Sequence, residues 1–292
     1  MQSVERDSGR TWVCRGCVVP LRHTLVMGIV NVTPDSFSDG GKWFDEERAV
    51  AHALDLVEEG ADILDIGGES TRPGAEEVST EEETRRVAPV IRMLAERSGV
   101  PVTVDTRHAA VARAALEAGA CAVNAVQPFT EDAEMVRLVR DSGAGVVLMH
   151  MRGTPRTMSD LTEYRDVVGE VEAMLRDALA CAVESGIGRE RILLDPGIGF
   201  VKDTAHSVAL LAATARLSRL GPLLVGASRK RFVGEVCGEP DARERVGGSV
   251  GAAVWCALHG AAVVRVHDVK ATRQALAMVR RLAEATVGET HV

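Results

Sequence analysis

Asp105, Asn124 and Asp195 each close a short apolar run, and none has a histidine or cysteine partner at metal-ligand spacing nearby. An acid–amide–acid set of this kind can accept hydrogen bonds from a flat heterocycle bearing amino and ring N–H donors. A second set is cationic. Arg229 and Lys230 follow the run Leu223–Ala227, while Arg265 and His267 end the run Val263–His267. Four cationic or potentially cationic groups at two adjacent run ends suit an anion, and a helix starting near Arg229 would add backbone N–H groups to the positive field. Taken together the two sets imply a ligand with a donor-rich ring at one end and phosphate at the other. Structural ion pairs between acids and cations are the competing reading.

Side chains from such distant positions need a scaffold that brings strand ends together. Eight apolar runs supply it: Leu25–Asn31, Asp62–Gly67, Pro101–Asp105, Ala122–Val126, Gly145–His150, Ile192–Asp195, Leu223–Ala227 and Val263–His267. Their near-continuous Val, Ile and Leu content is that of parallel strands covered on the outside by helices. The intervening segments have helical period, as in Val167, Val171, Met174, Leu175, Ala178, Leu179 and Ala182. Gly60, Gly119, Gly143 and Gly260 each precede a strand and read as helix stops. Ser79 with Glu82 has capping-box spacing, and Asp45, Glu46 and Glu47 read as a helix start. The expected fold is α/β, a single-domain (β/α)8 TIM barrel with its chemistry at the C-terminal ends of the strands. Two connections on that side, Thr33–Phe44 and Glu69–Val78, are long and rich in Gly, Pro, Ser and Asp, as binding loops are.

The chain has 292 residues, enough for one barrel at about 250 residues. We divide it into an N-terminal extension, residues 1–19, and a barrel domain, residues 20–292. The formal charge of −8 disfavours nucleic acid as a partner, and no apolar run is long enough to span a membrane. The first residues lack a signal-peptide core, which gives a cytoplasmic expectation. Six scattered cysteines do not form a disulfide framework. Cys14 and Cys17 have suggestive spacing, but no second pair follows, so an exposed extension is expected rather than a zinc site. His150 and Asp65 read as structural, Asp65 as a buried, hydrogen-bonded support.

Five segments carry a resemblance. MGIVNVTPDSFSDGG at Met27–Gly41, DIGGESTRPGA at Asp65–Ala75, LDPGIGF at Leu194–Phe200, VGASRKRF at Val225–Phe232 and RVHDV at Arg265–Val269 resemble the dihydropteroate synthase family. The likeness runs from about Leu25 through the last helix, with the motifs in order at matching strand ends. It implies a transferase of folate biosynthesis that condenses 6-hydroxymethyl-7,8-dihydropterin diphosphate with 4-aminobenzoate, releases pyrophosphate and is a sulfonamide target. By the same resemblance the pterin meets Asp105, Asn124, Asp195 and Lys230, with Arg265 over its face. Arg265 and His267 hold the diphosphate, and Asn31 with Asp35 helps hold Mg2+ on it. Ser70, Thr71, Arg72 and Pro73 close over 4-aminobenzoate, Phe200 lines its pocket, and the loop with Asp35 and Phe37 closes from the other side. Catalytic roles thus fall to Asp35, Lys230, Arg265 and His267. Family members are often dimers, and a homodimer is a compatible arrangement that no patch in the sequence marks.

The chain departs from the family pattern in places. Ala125 stands where Asp is common, Gln127–Pro128 where Ser–Gly is usual, Val201 where Gly is common, Ser207 for a frequent Asn, and Arg231 where Ser is common. A lost carboxylate next to Asn124 would loosen a supporting hydrogen bond. These departures motivate an alternative, a catalytically silent paralogue that binds pterin. A second alternative, a pterin-binding barrel handling methyltetrahydrofolate for a corrinoid partner, is disfavoured by Arg265, His267 and the loop after Gly68.

Overall fold

A computed structural model describes residues 10–33, 42–69, 77–126, 129, 132–152 and 163–288, with backbone alone at 42–45 and 286–288. A hairpin opens it, β1 (Thr11–Cys14) and β2 (Cys17–Pro20). Strand and helix then alternate: β3 (Leu25–Asn31), α1 (Lys42–Glu58), β4 (Ile63–Gly67), α2 (Thr80–Arg97), β5 (Val102–Thr106), α3 (Ala109–Ala118), β6 (Ala122–Ala125), α4 (Ala133–Ser142), β7 (Gly145–Met149) and α5 (Val167–Glu184). The second half continues with β8 (Ile192–Asp195), α6 (Thr204–Ala212), α7 (Thr214–Leu217), β9 (Leu224–Val225), α8 (Arg231–Cys237), α9 (Val246–Leu258), β10 (Val263–Val266) and α10 (Val269–Gly288). The order β8-β7-β6-β5-β4-β3-β10-β9 is parallel throughout, and a parallel bridge from Leu194 to Leu223 joins the two ends. The (β/α)8 barrel is therefore closed. Among the described residues no helix is long and apolar enough to cross a membrane.

Period-2 alternation in the strands explains how apolar runs can end in polar chemistry. Val26, Val30, Leu64, Ile66, Val104, Val123, Val146, Leu148, Leu194 and Val264 point outward into the core shared with the helices. Met27, Ile63, Ala122, Val147, Leu193 and Val263 belong to a separate apolar cluster, the lower barrel interior. One pleat further on, Ile63 gives way to Asp65, Ala122 to Asn124, Leu193 to Asp195 and Val263 to Arg265. These four strands thus spend one inward position on packing and the next on the site.

The helix signals hold locally. Ser79 accepts from the Glu82 amide at 3.2 Å, while the Glu82 side chain pairs with Arg85 and Arg86 instead of reaching back. Gly60, Gly119, Gly143 and Gly260 all have positive φ at the helix-to-strand returns. Helix α1 begins three residues before Asp45.

The expected exposed extension is corrected over the hairpin. Trp12, Cys14, Val19 and Leu21 are buried in the lower interior cluster, and Trp12 Nε1 donates to the Arg191 carbonyl at 2.9 Å. The hairpin closes the N-terminal end of the barrel because an open bottom would leave Met27, Ile63 and Val147 facing water. Trp12→Ala removes the largest side chain of this closure, and urea unfolding should show a loss of about 3–5 kcal/mol. An unchanged midpoint would show that the hairpin contributes nothing to the core.

Candidate active site

The strand register sets the upper layer. Asn31, Gly67, Asp105 and Asn124 are successive Cα partners across β3, β4, β5 and β6. Asp195 lies two strands further round in the same direction, as the partner of Met149 on β7. Asp65, one pleat lower and fully buried, is the hub of the layer. It accepts from the Thr103 hydroxyl, from Asn124 Nδ2 at 3.0 Å and from Arg265 Nε at 2.6 Å. Arg265 crosses from β10 and places its second arm on Asp105 at 2.5 Å. Two carboxylates thus grip one guanidinium, which fixes the plane of Arg265 in a way that a lysine could not reproduce.

This network consumes donors and leaves acceptors. Asp105 Oδ1 and Asn124 Oδ1 are buried with no hydrogen-bond partner. Buried acceptors without partners are costly, so their persistence side by side at adjacent strand ends marks a place where a ligand brings donors. Burial pushes the Asp105 carboxyl up, against the pull of Arg265 and with help from Asp65. Asp195 is also raised, again by burial, with Lys230 and the Gly197 amide opposing. Gly197 N donates to Asp195 at 2.7 Å, and glycine is required there because a Cβ would lie 2.1 Å from the His150 carbonyl oxygen.

Lys230 caps α8 and donates to the Ile198 carbonyl, with its ammonium 4.6 Å from the centre of the Phe200 ring. Burial lowers its pKa to about 8, with Asp195 as the main opposing charge. His267 Nδ1 lies 3.1 Å from the Ser228 hydroxyl, and its backbone amide donates to the same oxygen at 3.2 Å. Of the four groups expected at these strand ends, Lys230, Arg265 and His267 lie at this mouth. Arg229 is the correction. Its φ of +59° turns it aside, its guanidinium is forked on Asp268 at 3.0 and 2.5 Å, and its amide donates to Ser249. Helix α8 starts two residues later than expected, at Arg231.

The structure thus gathers Asn31, Asp105, Asn124, Asp195, Phe200, Lys230, Arg265 and His267 at one mouth. Asp35, Thr71 and Arg72 lie outside the described residues, as do Ser70, Pro73 and Phe37. Ala125, where a lost carboxylate was expected to weaken Asn124, points the other way. Its methyl is fully buried in the helix-facing core, and the Asn124 amide takes its support from Asp65. Val201 adopts φ +53°, strained for a β-branched residue, which accounts for glycine being the commoner choice there. Its side chain packs with Val126, Met149 and Met151.

His150, expected to be structural, lies behind the site beside Lys202. Its ring is buried, its Nδ1 sits 2.9 Å from Lys202 Nζ, and burial lowers its pKa to about 3. Lys202 is the residue that sequence reasoning passes over. It is buried, donates to the Phe200 carbonyl at 2.8 Å and has its pKa lowered by burial to about 7. Its position two residues after Phe200 was the available signal.

A closed barrel whose mouth combines buried acceptors with cations defines a class of enzyme that binds a donor-rich ring carrying an anion. The sequence model of the pterin binding enzyme family matches residues 27–267, and the chain belongs to that family. Its relatives specify the branch. It is 49% identical over 271 residues to the dihydropteroate synthase of Neisseria meningitidis serogroup B, covering 91% of this chain and 95% of that one. It is 44% identical over 265 residues to the Synechocystis dihydropteroate synthase, covering 90% of each. The solved Xanthomonas albilineans dihydropteroate synthase with 4-aminobenzoic acid superposes with a TM-score of 0.88 at 49% identity, over 94% of this chain and 98% of that one. The same enzyme in complex with 7,8-dihydropteroate gives 0.86 at 46% identity, with the same coverage.

Proposed function

We infer that the chain is a transferase, a dihydropteroate synthase, that condenses 6-hydroxymethyl-7,8-dihydropterin diphosphate with 4-aminobenzoate and releases pyrophosphate in folate biosynthesis. The observation that carries this reading is the pair of unpartnered buried acceptors, Asp105 Oδ1 and Asn124 Oδ1, in one layer with Asp195 and the Arg265 fork. The acceptors suit the amino and ring N–H groups of a pterin. Arg265 already shares its charge with Asp65 and Asp105, so it offers a planar face to the ring more than a bare cation.

In the reaction the bond between the pterin methylene carbon and the bridging diphosphate oxygen breaks, and its electron pair leaves with pyrophosphate. The arylamine nitrogen of 4-aminobenzoate forms the new C–N bond and then loses a proton to water. Asp105, Asn124 and Asp195 hold the electron-rich ring so that it can spread the positive charge left on the methylene. Arg265 and His267 would stabilise the departing negative charge, while Lys230, paired electrostatically with Asp195, meets the ring. The uncharged amine needs position more than a base, and Phe200, with Thr71 and Arg72 from the loop after Gly68, provides it.

A divalent metal also fits. Asn31 ends β3 in the same layer as Asp105, its side-chain oxygen 3.8 Å from where a Gly67 Cβ would stand, and the Asp105 oxygen not held by Arg265 has no hydrogen-bond partner. Hard oxygen donors together with diphosphate suit Mg2+. Asn31 and Asp35 would hold it, and when bound it would neutralise charge on the leaving diphosphate. We place the enzyme in the cytoplasm, acting on small molecules, without a nucleic-acid partner and compatible with a homodimer.

Pyrophosphate release that requires both the pterin diphosphate and 4-aminobenzoate, and that sulfonamides inhibit competitively against 4-aminobenzoate, is the expected result. Pterin binding without release would instead establish the silent paralogue. The lowered Lys230 pKa adds a pH signature. Activity should fall on an alkaline limb near pH 8, where the ammonium loses its proton. Because the folded value lies below the ordinary 10.5, the unfolded chain binds more protons between the two, and stability rises with pH across that window. Lys230→Arg should move the limb out of range in a kcat/KM profile, and an unmoved limb would assign it to another group.

A further inference from the structure

At the end of the barrel opposite the site, the sulfurs of Cys14, Cys17 and Cys121 lie within 4.8 Å of one another. Cys14 and Cys17 face each other as Cα partners across the hairpin turn, which Gly16 permits with φ +76°. Cys121, one residue before β6, comes from 104 positions further along the chain, which is why spacing alone gave no third ligand. The juxtaposition is braced by backbone. The Arg15 amide donates to the Cys121 carbonyl at 3.0 Å, and the Gly145 amide donates to the same oxygen at 3.1 Å. Gly145 leaves room for the cluster, since a Cβ there would come within 2.7 Å of Cys14 Sγ.

We propose that these three cysteines form a site for a thiophilic d10 cation of the zinc class, with water from the Cys17 side as the fourth ligand. A tetrahedral zinc ion with sulfur ligands at about 2.3 Å holds its sulfurs a little under 4 Å apart, so only small side-chain rotations are needed. Cys14 and Cys121 are buried, while Cys17 is half-exposed beside the exposed Arg15 and Gly16, which leaves one face of the triangle accessible to water. Binding displaces the three thiol protons, so one dication on three thiolates leaves a single net negative charge. Arg15 and Arg191 lie on this side and offset it. Arg191 feels Cys14 electrostatically and forks onto the Ala144 carbonyl. A bound ion would cross-link the hairpin to β6 and lock the closed end of the barrel, without touching the reaction at the mouth.

The test uses the reduced full-length protein titrated with Co2+ as the spectroscopic probe. The expected result is sulfur-to-cobalt charge-transfer absorption and strong tetrahedral d–d bands that saturate at one equivalent and are displaced by Zn2+. Zinc should raise the thermal midpoint of the parent protein. Cys17→Ser, at a half-exposed position, should weaken binding at least tenfold while turnover stays at the parental level, which shows that the variant is folded. Cys121→Ala should abolish the bands, and Cys237→Ser, at an exposed cysteine elsewhere, should keep them. Absent bands in an active parent protein, bands retained in Cys121→Ala, or a Cys14–Cys17 disulfide recovered from metal-free protein would each overturn the proposal.

Discussion

Asp195→Asn is expected to lower kcat/KM by about 10²–10³-fold, the range for removing one preorganised electrostatic contact from an active site. The substitution is conservative in shape. Asn can still accept the Gly197 amide bond that Asp195 now makes at 2.7 Å, so the glycine loop should stay in place. What changes is one acceptor, replaced by an NH2 donor that would face the donor edge of the pterin, together with the charge opposing Lys230. Pyrophosphate release kinetics measure the first effect, and an unchanged thermal midpoint confirms that the fold survives. Near-parental turnover would show that Asp195 does not anchor the ring. The alkaline limb assigned to Lys230 should also move to lower pH in this variant, because Asp195 is what holds the lysine proton against burial.

Arg265→Met should affect stability as well as activity. The guanidinium is the common partner of Asp65 and Asp105 at 2.6 and 2.5 Å, and deleting it leaves two carboxylates facing each other in the barrel interior. Removing one member of a buried ion network typically costs about 3–5 kcal/mol. The sign of the pH dependence follows from Asp105, whose carboxyl burial already raises. Without Arg265 it rises further, the folded state holds protons that the unfolded chain has released, and stability falls as pH rises through that interval. Urea unfolding at mildly acidic and mildly alkaline pH should therefore show the larger loss at the alkaline end. Combining the change with Asp65→Asn should recover part of it, since the pair would then leave one acid rather than two. Equal losses at both pH values, with no recovery in the double variant, would mean that Arg265 acts by packing alone.

Much of this was legible in the chain because parallel strands write their burial into composition. All eight barrel strands fall on apolar runs named from the sequence, and β3 and β8 coincide with theirs at both ends. Asp105, Asn124, Asp195 and Arg265 stood out because a polar residue closing an apolar run is costly without a purpose. Partnering was harder to see. Asp65 read correctly as a buried support, yet its role as the common acceptor for Thr103, Asn124 and Arg265 depends on which strands meet across the barrel. Arg229 looked equivalent to Lys230, and only its positive φ and the position of Asp268 separate them. The N-terminal hairpin was misread for a similar reason. Nothing local says that Trp12 has a hole to fill, because the hole is made by Met27, Ile63, Val147 and Leu193, all of them elsewhere in the sequence.

The saturated state of Asp65 bears on how small molecules could be made to compete for the ring end of this mouth. Its carboxylate already takes hydrogen bonds from three side chains, whereas the free oxygens of Asp105 and Asn124 can only accept. A competitor aimed there gains from amino and N–H edges and is penalised for every carbonyl or acidic group it turns toward them. Inhibitor chemistry for this subsite therefore favours uncharged, amine-rich bicycles, and acidic groups belong at the opposite end of the scaffold, toward His267.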